Sequence, residues 1–196
     1  MAAFADTGEL LQFAQTFLGD RTYSLERGAL VCIHADTPAL PGFLYCFAMI
    51  DLLGALLAGD AKSSLVTDRA KAYARRFMHD SVDQCELLWG VFHHKLVHLA
   101  QPKPVKLVKG KTTMWTYWHD GPEHHLRVRP LIFPSREPRA SGLVIETEQW
   151  FEISVRHLVA DIVHSVYTTD GYLDALASDA SLQEKFTKAV TEIYEP

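Results

Sequence analysis

The sequence is poor in the residues on which redox and metal chemistry most often depend. Three cysteines, Cys32, Cys46 and Cys85, stand among 196 residues, and no two of them form a CxxC pair. An odd number of cysteines in apolar surroundings is typical of reduced core residues, not of a disulfide scaffold or a zinc ribbon. The sequence also lacks a glycine-rich phosphate loop and a nucleophile motif. We therefore expect no metal and no cofactor.

The sequence also lacks an excess of basic residues and a long uncharged apolar run. Its formal net charge is −5, which argues against a dedicated nucleic-acid binder but leaves room for a local basic patch. The first residues do not show the basic and apolar regions of a signal peptide. The most apolar run, Phe43 to Ala58, has about 16 residues where a bilayer span needs roughly 20, and it contains Asp51. We predict a cytoplasmic protein without a membrane partner, in which this run is a buried core helix.

The length of 196 residues and the hydrophobic content of 48% predict a single domain over residues 1–196. Apolar residues recur at helical spacing over most of the chain. Between Asp20 and Pro41 the run GALVCIHA fits either a short strand or a helical turn. Helices are predicted at about residues 7–18 (with Gly19 as the C-terminal cap), 43–58, 64–79, 80–102, 147–167, 172–177 and 182–194.

The pattern changes after Pro102, where β-branched and aromatic residues become frequent. Short strands are predicted within a β insert of about residues 105–133, with Lys109-Gly110 and Asp120-Gly121 as turns. Leu143 to Ile145 can add a short strand, and Thr147 is expected to cap the long helix that follows. The predicted fold class is mainly α. A helical core of about residues 43–101 and 147–194 carries a small antiparallel β meander between the histidine-rich helix and the long C-terminal helix.

The most distinctive stretch is residues 80–102, which we call the histidine helix. Asp80 or Ser81 can cap its first turn by accepting hydrogen bonds from free amides, and a proline ends it. Leucine and phenylalanine side chains recur along one face. Three histidines lie towards its C-terminal end: His93, His94 and His98. The last two are four residues apart and share one face of the helix.

Asp51 is the one charged residue in the apolar core helix. An unpaired buried carboxylate costs several kcal/mol, so Asp51 is expected to have a partner or a raised pKa. The histidines of the neighbouring helix are the natural partners. The alternative is that Asp51 faces a wet groove or caps a loop.

The segment Phe-His-His-Lys-Leu-Val-His, residues 92–98, resembles the end of the motif helix in HEPN domains, a helical family of ribonucleases and RNA-associated toxins. The family pattern is an arginine, a polar residue, three further residues and a histidine. His93 stands at the arginine position, His94 at the polar position and His98 at the histidine position. The resemblance covers about residues 43–101 and the long C-terminal helix, and it implies a HEPN-like helical bundle.

The resemblance implies a metal-independent ribonuclease or an RNA-associated, toxin-type factor. In the family the arginine stabilises phosphate charge and the histidine takes part in proton transfer. Here His93 and His98 would act as acid and base, with His94 and Asp51 in the same groove. The resemblance also implies a homodimer whose motif helices face each other, RNA as a partner and, for a toxin, an antitoxin.

Histidine at position 93 departs from the family pattern. Arginine is always charged and offers a planar fork of donors to a phosphate, whereas His93 is charged only part of the time near neutral pH. Lys95, or Arg75 and Arg76 on the preceding helix, are the candidates to bind phosphate in its place. The alternative is a non-catalytic dimeric binding or regulatory module, in which the groove serves dimerisation or an unidentified small ligand.

Two metal sites are alternatives to this interpretation. His157, Asp161 and His164 are spaced by four and three residues on the predicted long helix, so imidazole and carboxylate ligands share one face. A solvated polar face explains the same spacing. A metal-dependent hydrolase built on His94, His98 and a carboxylate is the other possibility.

The β insert also carries a set of aromatic and basic residues that resembles a surface for stacking nucleic-acid bases. Aromatic residues at strand spacing are more often part of a core, which is the competing interpretation. The set consists of Trp115, Tyr117, Trp118, Lys111, Arg127 and Arg129.

Overall fold

The computed structural model describes residues 4–34, 39–62, 64–93, 106–138 and 144–195. Over these residues the protein is mainly helical with a small sheet, which confirms the predicted class at this level. The helical segments are α1 (Thr7–His34), α2 (Leu40–Ala58), α3 (Val66–Phe77), α4 (Val82–Leu87), a π-helical segment (Leu88–His93), a 3-10 turn (Pro122–His124), α5 (Val155–Tyr167), α6 (Tyr172–Ser178) and α7 (Ala180–Tyr194).

The first helix is much longer than predicted. The sequence suggests a cap at Gly19, but α1 continues to His34, so this prediction is wrong and the undecided GALVCIHA run is helical up to that residue. The reason is that burial continues past the glycine, because Leu25 and Ala29 are both in the core. A Cβ at position 19 would lie 3.7 Å from the Tyr167 hydroxyl, so α5 passes close to α1 there.

The second helix is the core helix, as predicted. Phe43, Phe47, Ile50 and Leu53 are all fully buried. The helix begins a few residues earlier than the sequence suggests, because Pro41 lies in its first turn, where the missing amide costs no hydrogen bond.

By length and composition, α2 is the helix of the described part of the chain that could cross a membrane. It packs against α1, α3, α5 and α7, and 56% of its most apolar window is buried inside the protein. Such burial is typical of the core helix of a soluble protein.

The third helix packs closely on α2 and reaches α5. A Cβ at Gly54 would lie 2.7 Å from the backbone nitrogen of Ala70, so the two helix backbones meet at a glycine. Tyr73 is fully buried, and its hydroxyl lies 2.9 Å from Ser165 Oγ on α5. The helix therefore joins the core helix to the long C-terminal helix.

The sheet has four strands in the described residues, in the order β1-β2-β4-β3. The pairs β1–β2 and β3–β4 are antiparallel, whereas β2–β4 is parallel. The predicted antiparallel meander within residues 105–133 is therefore wrong, because the last strand in the chain lies between β2 and β3. The strands are β1 (Lys106–Val108), β2 (Lys111–Trp118), β3 (Arg127–Pro138) and β4 (Val144–Ser154).

The fourth strand occupies residues that the sequence assigns to the long helix. Thr147 is buried within β4 and does not cap a helix, and α5 begins only at Val155, after Ser154. Phe151 on one face of β4 and Glu152 on the other are both fully buried. A central strand buried on both faces lacks the alternation that marks a strand, so its apolar residues fit a helical period as well.

The C-terminal helices complete the core, close to their predicted positions. Phe186 of α7 is fully buried and lies edge-on to Phe17 of α1, with ring centroids 6.3 Å apart. Tyr172 at the start of α6 packs edge-on against Phe77 of α3 at 5.5 Å. One buried apolar cluster thus includes residues of the helices and of β4.

Candidate functional site

The histidine helix begins at a capping box. Ser81 Oγ accepts a hydrogen bond from the Gln84 amide at 3.2 Å, and Gln84 Oε1 accepts one from the Ser81 amide at 2.8 Å. Of the two predicted caps, Ser81 is the one the structure uses. The first amides of the helix are satisfied in this way, so its start is well defined.

The helix changes type before it reaches the histidines. α4 ends at Leu87, and Leu88–His93 continues as a π-helix. Trp89 lies in this segment and is fully buried, with its ring 6.0 Å from that of Phe47 on the core helix. The segment that leads to the histidines is therefore anchored in the core.

The predicted catalytic histidines come at and after the end of this segment in the sequence. His93 is the last residue of the π-helix. His94, Lys95 and His98 fall outside the described residues, so their convergence stays a prediction. Asp51 is half-buried on α2, and its pairing with a histidine also stays a prediction.

The two arginines proposed to supply the missing charge make contacts within the chain. Arg75 Nε donates a hydrogen bond to the Lys71 carbonyl at 3.3 Å. Arg76 lies 3.9 Å from Asp179, the N-terminal cap of α7, and its guanidinium packs over the Phe77 ring. Both side chains therefore make contacts with other residues of the chain.

A buried carboxyl group lies just before the histidine helix. The side chain of Asp80 is only 8% exposed, and its Oδ2 makes no hydrogen bond among the described residues. Burial, together with the negative charge of Asp161 on α5, raises the pKa of Asp80 to about 7. This carboxyl group therefore titrates near neutral pH.

Asp161 is bound by a histidine that the sequence did not single out. His125 Nε2 lies 2.8 Å from Asp161 Oδ2. The other ring nitrogen, Nδ1, accepts a hydrogen bond from the Ser154 amide at 3.3 Å. Because an amide donates to Nδ1, Nε2 is the ring nitrogen that can donate to the aspartate. His125 thus joins β4 to α5.

A second histidine is held at the start of α5. Ser154 caps this helix, and its hydroxyl lies 2.9 Å from His157 Nδ1. Asp120 Oδ1 lies 3.8 Å from the same nitrogen, and Asp120 Oδ2 lies 3.0 Å from Arg156 Nε. Ser154 is fully buried, so its hydroxyl serves as a cap and a ring partner and is not presented as a nucleophile.

A third histidine is bound by a buried glutamate. Glu152 is fully buried, and its two oxygens have different partners. Oε2 lies 3.2 Å from His124 Nδ1, and Oε1 accepts a hydrogen bond from Arg129 Nε at 2.9 Å. The ring of His124 stacks on Trp118 with centroids 4.2 Å apart.

Two of these histidines, His124 and His125, share one loop with His119, residues 119–126, which we call the histidine loop. The loop ends at Leu126, whose φ of 49° is a conformation that leucine rarely adopts. The Leu126 carbonyl accepts a hydrogen bond from Gln84 Nε2 at 3.3 Å. The histidine loop therefore rests against the first turn of the histidine helix.

The sequence contained a signal for this loop. His119-Asp120-Gly121-Pro122-Glu123-His124-His125 concentrates three histidines and two carboxylates in seven positions. It was interpreted only as a turn, because Asp-Gly marks a turn strongly. Glu152 and Asp161 could not be assigned to the loop from sequence, since strand pairing and helix packing bring them there.

The predicted aromatic and basic surface is divided between two faces of the sheet. The Trp115 and Tyr117 rings are stacked 6.0 Å apart and pack on the core, with Tyr117 6.1 Å from Phe43. Trp118 points to the other face and is 40% exposed. Arg129 lies on that face too, beside Glu152. The six residues therefore do not form one surface.

The proposed metal ligands on the long helix do not converge. His157 is bound to Ser154, Asp161 to His125, and His164 is exposed in the last turn of α5. Across the part of the chain that the structure describes, no group of three or more histidine, cysteine, aspartate or glutamate side chains has a geometry suited to a metal ion.

A groove of about 780 Å³ lies elsewhere, between the start of α1 and α7. Phe4 and Leu10 contribute apolar surface to it, and Glu184, Lys188 and Glu192 are among its charged lining residues. None of its lining residues belongs to the histidine helix or the histidine loop. The groove is therefore separate from both concentrations of titratable groups.

No family model matches the chain, and no curated protein and no solved structure shows significant similarity to it.

Proposed function

We propose that this protein is a cytoplasmic, HEPN-like, RNA-associated factor whose histidine helix cleaves RNA without a metal ion. The observation that carries the proposal is the π-helical segment Leu88–His93, which leads into the histidines. π-helical turns are rare and occur frequently at functional sites. Their hydrogen bonds are less favourable than those of an α-helix. We therefore expect a local cause for the π-helical segment at Leu88–His93.

The surroundings of the segment support a functional reason. Trp89 and Leu88 are fully buried, so the π-helical turn is held against the core helix by packing. A rigid element positions reacting side chains better than a loop does. The resemblance of residues 92–98 to the HEPN motif then provides the chemistry.

In this mechanism His93 and His98 act as an acid–base pair. One imidazole removes the proton from a 2′-hydroxyl, which attacks the adjacent phosphorus, and the other protonates the departing 5′-oxygen. His94 and Asp51 complete the groove, and Lys95 contributes positive charge to the phosphate. The products are a 2′,3′-cyclic phosphate or a 3′-phosphate and a 5′-hydroxyl end.

The test is incubation of the purified protein with a mixed RNA pool in the presence of a chelator. We expect cleavage with a bell-shaped pH profile around neutrality, because each imidazole must be in a different protonation state. His98→Ala should abolish cleavage. His93→Arg should raise it, since a permanent planar cation restores phosphate binding.

His164→Ala is the matched control, because His164 is an exposed histidine on α5 that does not belong to the motif. It should cleave RNA like the wild type. An RNA pool left intact by both the wild type and His93→Arg would reject the ribonuclease.

A second candidate is a non-catalytic dimeric binding or regulatory module. It is favoured by the contacts of Arg75 and Arg76 within the chain, which compete with a phosphate for the two arginines that were to replace the missing charge. In this case the face near residues 92–98 forms a homodimer interface, and an antitoxin or another regulator is a partner of the complex. Light scattering should then show a dimer that His98→Ala weakens, with no cleavage by any variant. A stable monomer at micromolar concentration would reject this candidate.

A further inference from the structure

The face of the sheet that carries Trp118 and Arg129, which we call the outer face, contains a buried charged group that packing alone does not explain. Glu152 is fully buried in the central strand. A buried carboxylate has a large desolvation cost that only close, well-oriented partners offset, and an apolar side chain would pack at the same place without it. The burial of this carboxylate is better explained by the two side chains that it binds and holds in place.

Glu152 holds an arginine and a histidine at the protein surface. The side chain of Arg129 is 45% exposed and that of His124 is 27% exposed. The contact with Glu152 uses Arg129 Nε, and the terminal nitrogens of the guanidinium have no hydrogen bond among the described residues. A planar cation is therefore fixed at its inner edge and open at its outer edge.

An aromatic ring lies beside this cation. Trp118 is 40% exposed, and one face of its indole stacks on His124, with 18° between the ring planes. His124 bonds to the same carboxylate as Arg129, so the indole, the imidazole and the guanidinium are joined through one buried residue. We call them the Trp118–His124–Arg129 patch.

We propose that the Trp118–His124–Arg129 patch binds single-stranded RNA, taking one phosphate on Arg129 and stacking one base on Trp118. Arginine forks match phosphate oxygens, and exposed indoles stack on any base. The choice of RNA rests on the proposed function of the histidine helix. The patch would then hold the strand, while cleavage takes place elsewhere on the chain.

The charges around the patch limit its affinity. Glu123 Oε1 lies 3.3 Å from His124 Nε2, and the whole chain carries a net charge of −5. Arg127, which is exposed, adds positive charge to the same face of β3. We therefore expect weak binding with a shallow salt dependence, because few phosphates are neutralised.

The experiment measures fluorescence anisotropy of a labelled uridine oligomer of about 10 nucleotides, a length typical of sites on single-strand binding domains. All proteins carry His98→Ala, which prevents cleavage during the measurement. Trp118→Ala should weaken binding about 10-fold or more, since base stacking on an aromatic side chain contributes that much. Arg129→Gln should also weaken binding and lower the slope of log affinity against log salt by about 1.

The chain offers a matched control on α1. Tyr23 is 62% exposed, and the Arg27 guanidinium lies 5.9 Å from its ring, without a buried carboxylate between them. Tyr23→Ala should leave binding unchanged. Thermal melting of each variant, with a midpoint close to that of the parent, shows that a lost affinity does not result from unfolding.

Two results would overturn the proposal: no binding by the parent protein, or equal binding by Trp118→Ala and the parent. The two proposals fail separately. Binding through the patch without cleavage by the wild type rejects the ribonuclease alone. Cleavage with unchanged binding in the patch variants rejects the patch alone.

Discussion

The protein places histidines in two neighbouring regions that are built in different ways. In the histidine helix the histidines lie within six residues of the sequence, 93–98, and the segment that leads to them is anchored by the buried apolar side chains of Leu88 and Trp89. In the histidine loop the rings of His124 and His125 are fixed by polar partners on two other elements, Glu152 on β4 and Asp161 on α5. The first region depends on packing and the second on hydrogen bonds and charge. Mutation and pH should therefore affect them differently.

The largest difference should appear between two tryptophans. Trp89→Ala removes a fully buried indole and should lower the free energy of unfolding by about 3–5 kcal/mol. Trp118→Ala removes a 40% exposed indole and should cost about 1 kcal/mol or less, from its stacking on His124. Urea denaturation monitored by circular dichroism measures both.

Trp89→Phe sharpens this test, because a smaller ring can keep the edge-on contact with Phe47. It should recover a large part of the stability lost in Trp89→Ala. Equal stability of Trp89→Ala and Trp118→Ala would show that the histidine helix is not anchored by packing.

The next effect concerns pH at the place where the two regions meet. The pKa of Asp80 rises from 3.8 to about 7 on folding, so the folded protein binds this proton more tightly than the unfolded chain does. The stability that this bound proton contributes is fully present below about pH 4 and is lost as the pH rises through 7. Between about pH 5 and pH 8 the free energy of unfolding should fall by about 2–3 kcal/mol, which corresponds to about two pKa units.

Asp80→Asn cannot titrate, so it should remove this part of the pH dependence and be more stable than the wild type at about pH 8. Asp83→Asn is the matched control on the same helix, because Asp83 is 68% exposed and is paired with Lys109 at 3.0 Å. It should retain the wild-type pH dependence. A wild type and an Asp80→Asn variant with parallel stability curves would contradict the buried-acid interpretation.

The smallest effect separates two serine caps. Ser81 is exposed and holds the first turn of the histidine helix, so Ser81→Ala should cost about 1 kcal/mol. Ser154 is buried, caps α5 and contacts His157 Nδ1, so Ser154→Ala should cost about 1–3 kcal/mol because it leaves a buried polar group without its partner. Thermal unfolding of both variants gives the comparison.

Ser81→Asp, which keeps a capping oxygen, should behave like the wild type. A larger loss of stability for Ser81→Ala than for Ser154→Ala would contradict the expected difference between the exposed and the buried cap.

The sequence predicted the elements whose local signals agree with their packing. The apolar run of α2 and the cap at Ser81 are both found, because burial and capping leave a direct trace in residue type. The extension of α1 past Gly19 was missed, since burial of Leu25 and Ala29 outweighs the low helix propensity of one glycine. Pro41 was left outside the core helix predicted at residues 43–58, although a proline fits the first turn of a helix.

The sheet and the histidine loop could not be predicted to the same extent. Phe151, Val155 and Leu158 have helical spacing, yet the first belongs to a strand and the other two to a helix. The partners of Glu152 are set by the register in which β4 pairs with β3, which no local pattern records. The histidine loop was visible as a composition, but its chemistry depends on carboxylates that are distant in sequence.

The position of β4 has a consequence for the order in which the chain assembles. β4 is the last strand in sequence, but it lies between β2 and β3. During synthesis the earlier strands therefore emerge first, and β2 has only β1 as a neighbour until residues up to Ser154 are available. One edge of β2 is open during that interval, and open edges pair readily with other chains. Closure of the sheet is a long-range step of the kind that slows folding. The pairing of β4 with β3 brings Glu152 to His124 and Arg129, so the outer face of the sheet acquires its surface chemistry only when β4 has paired.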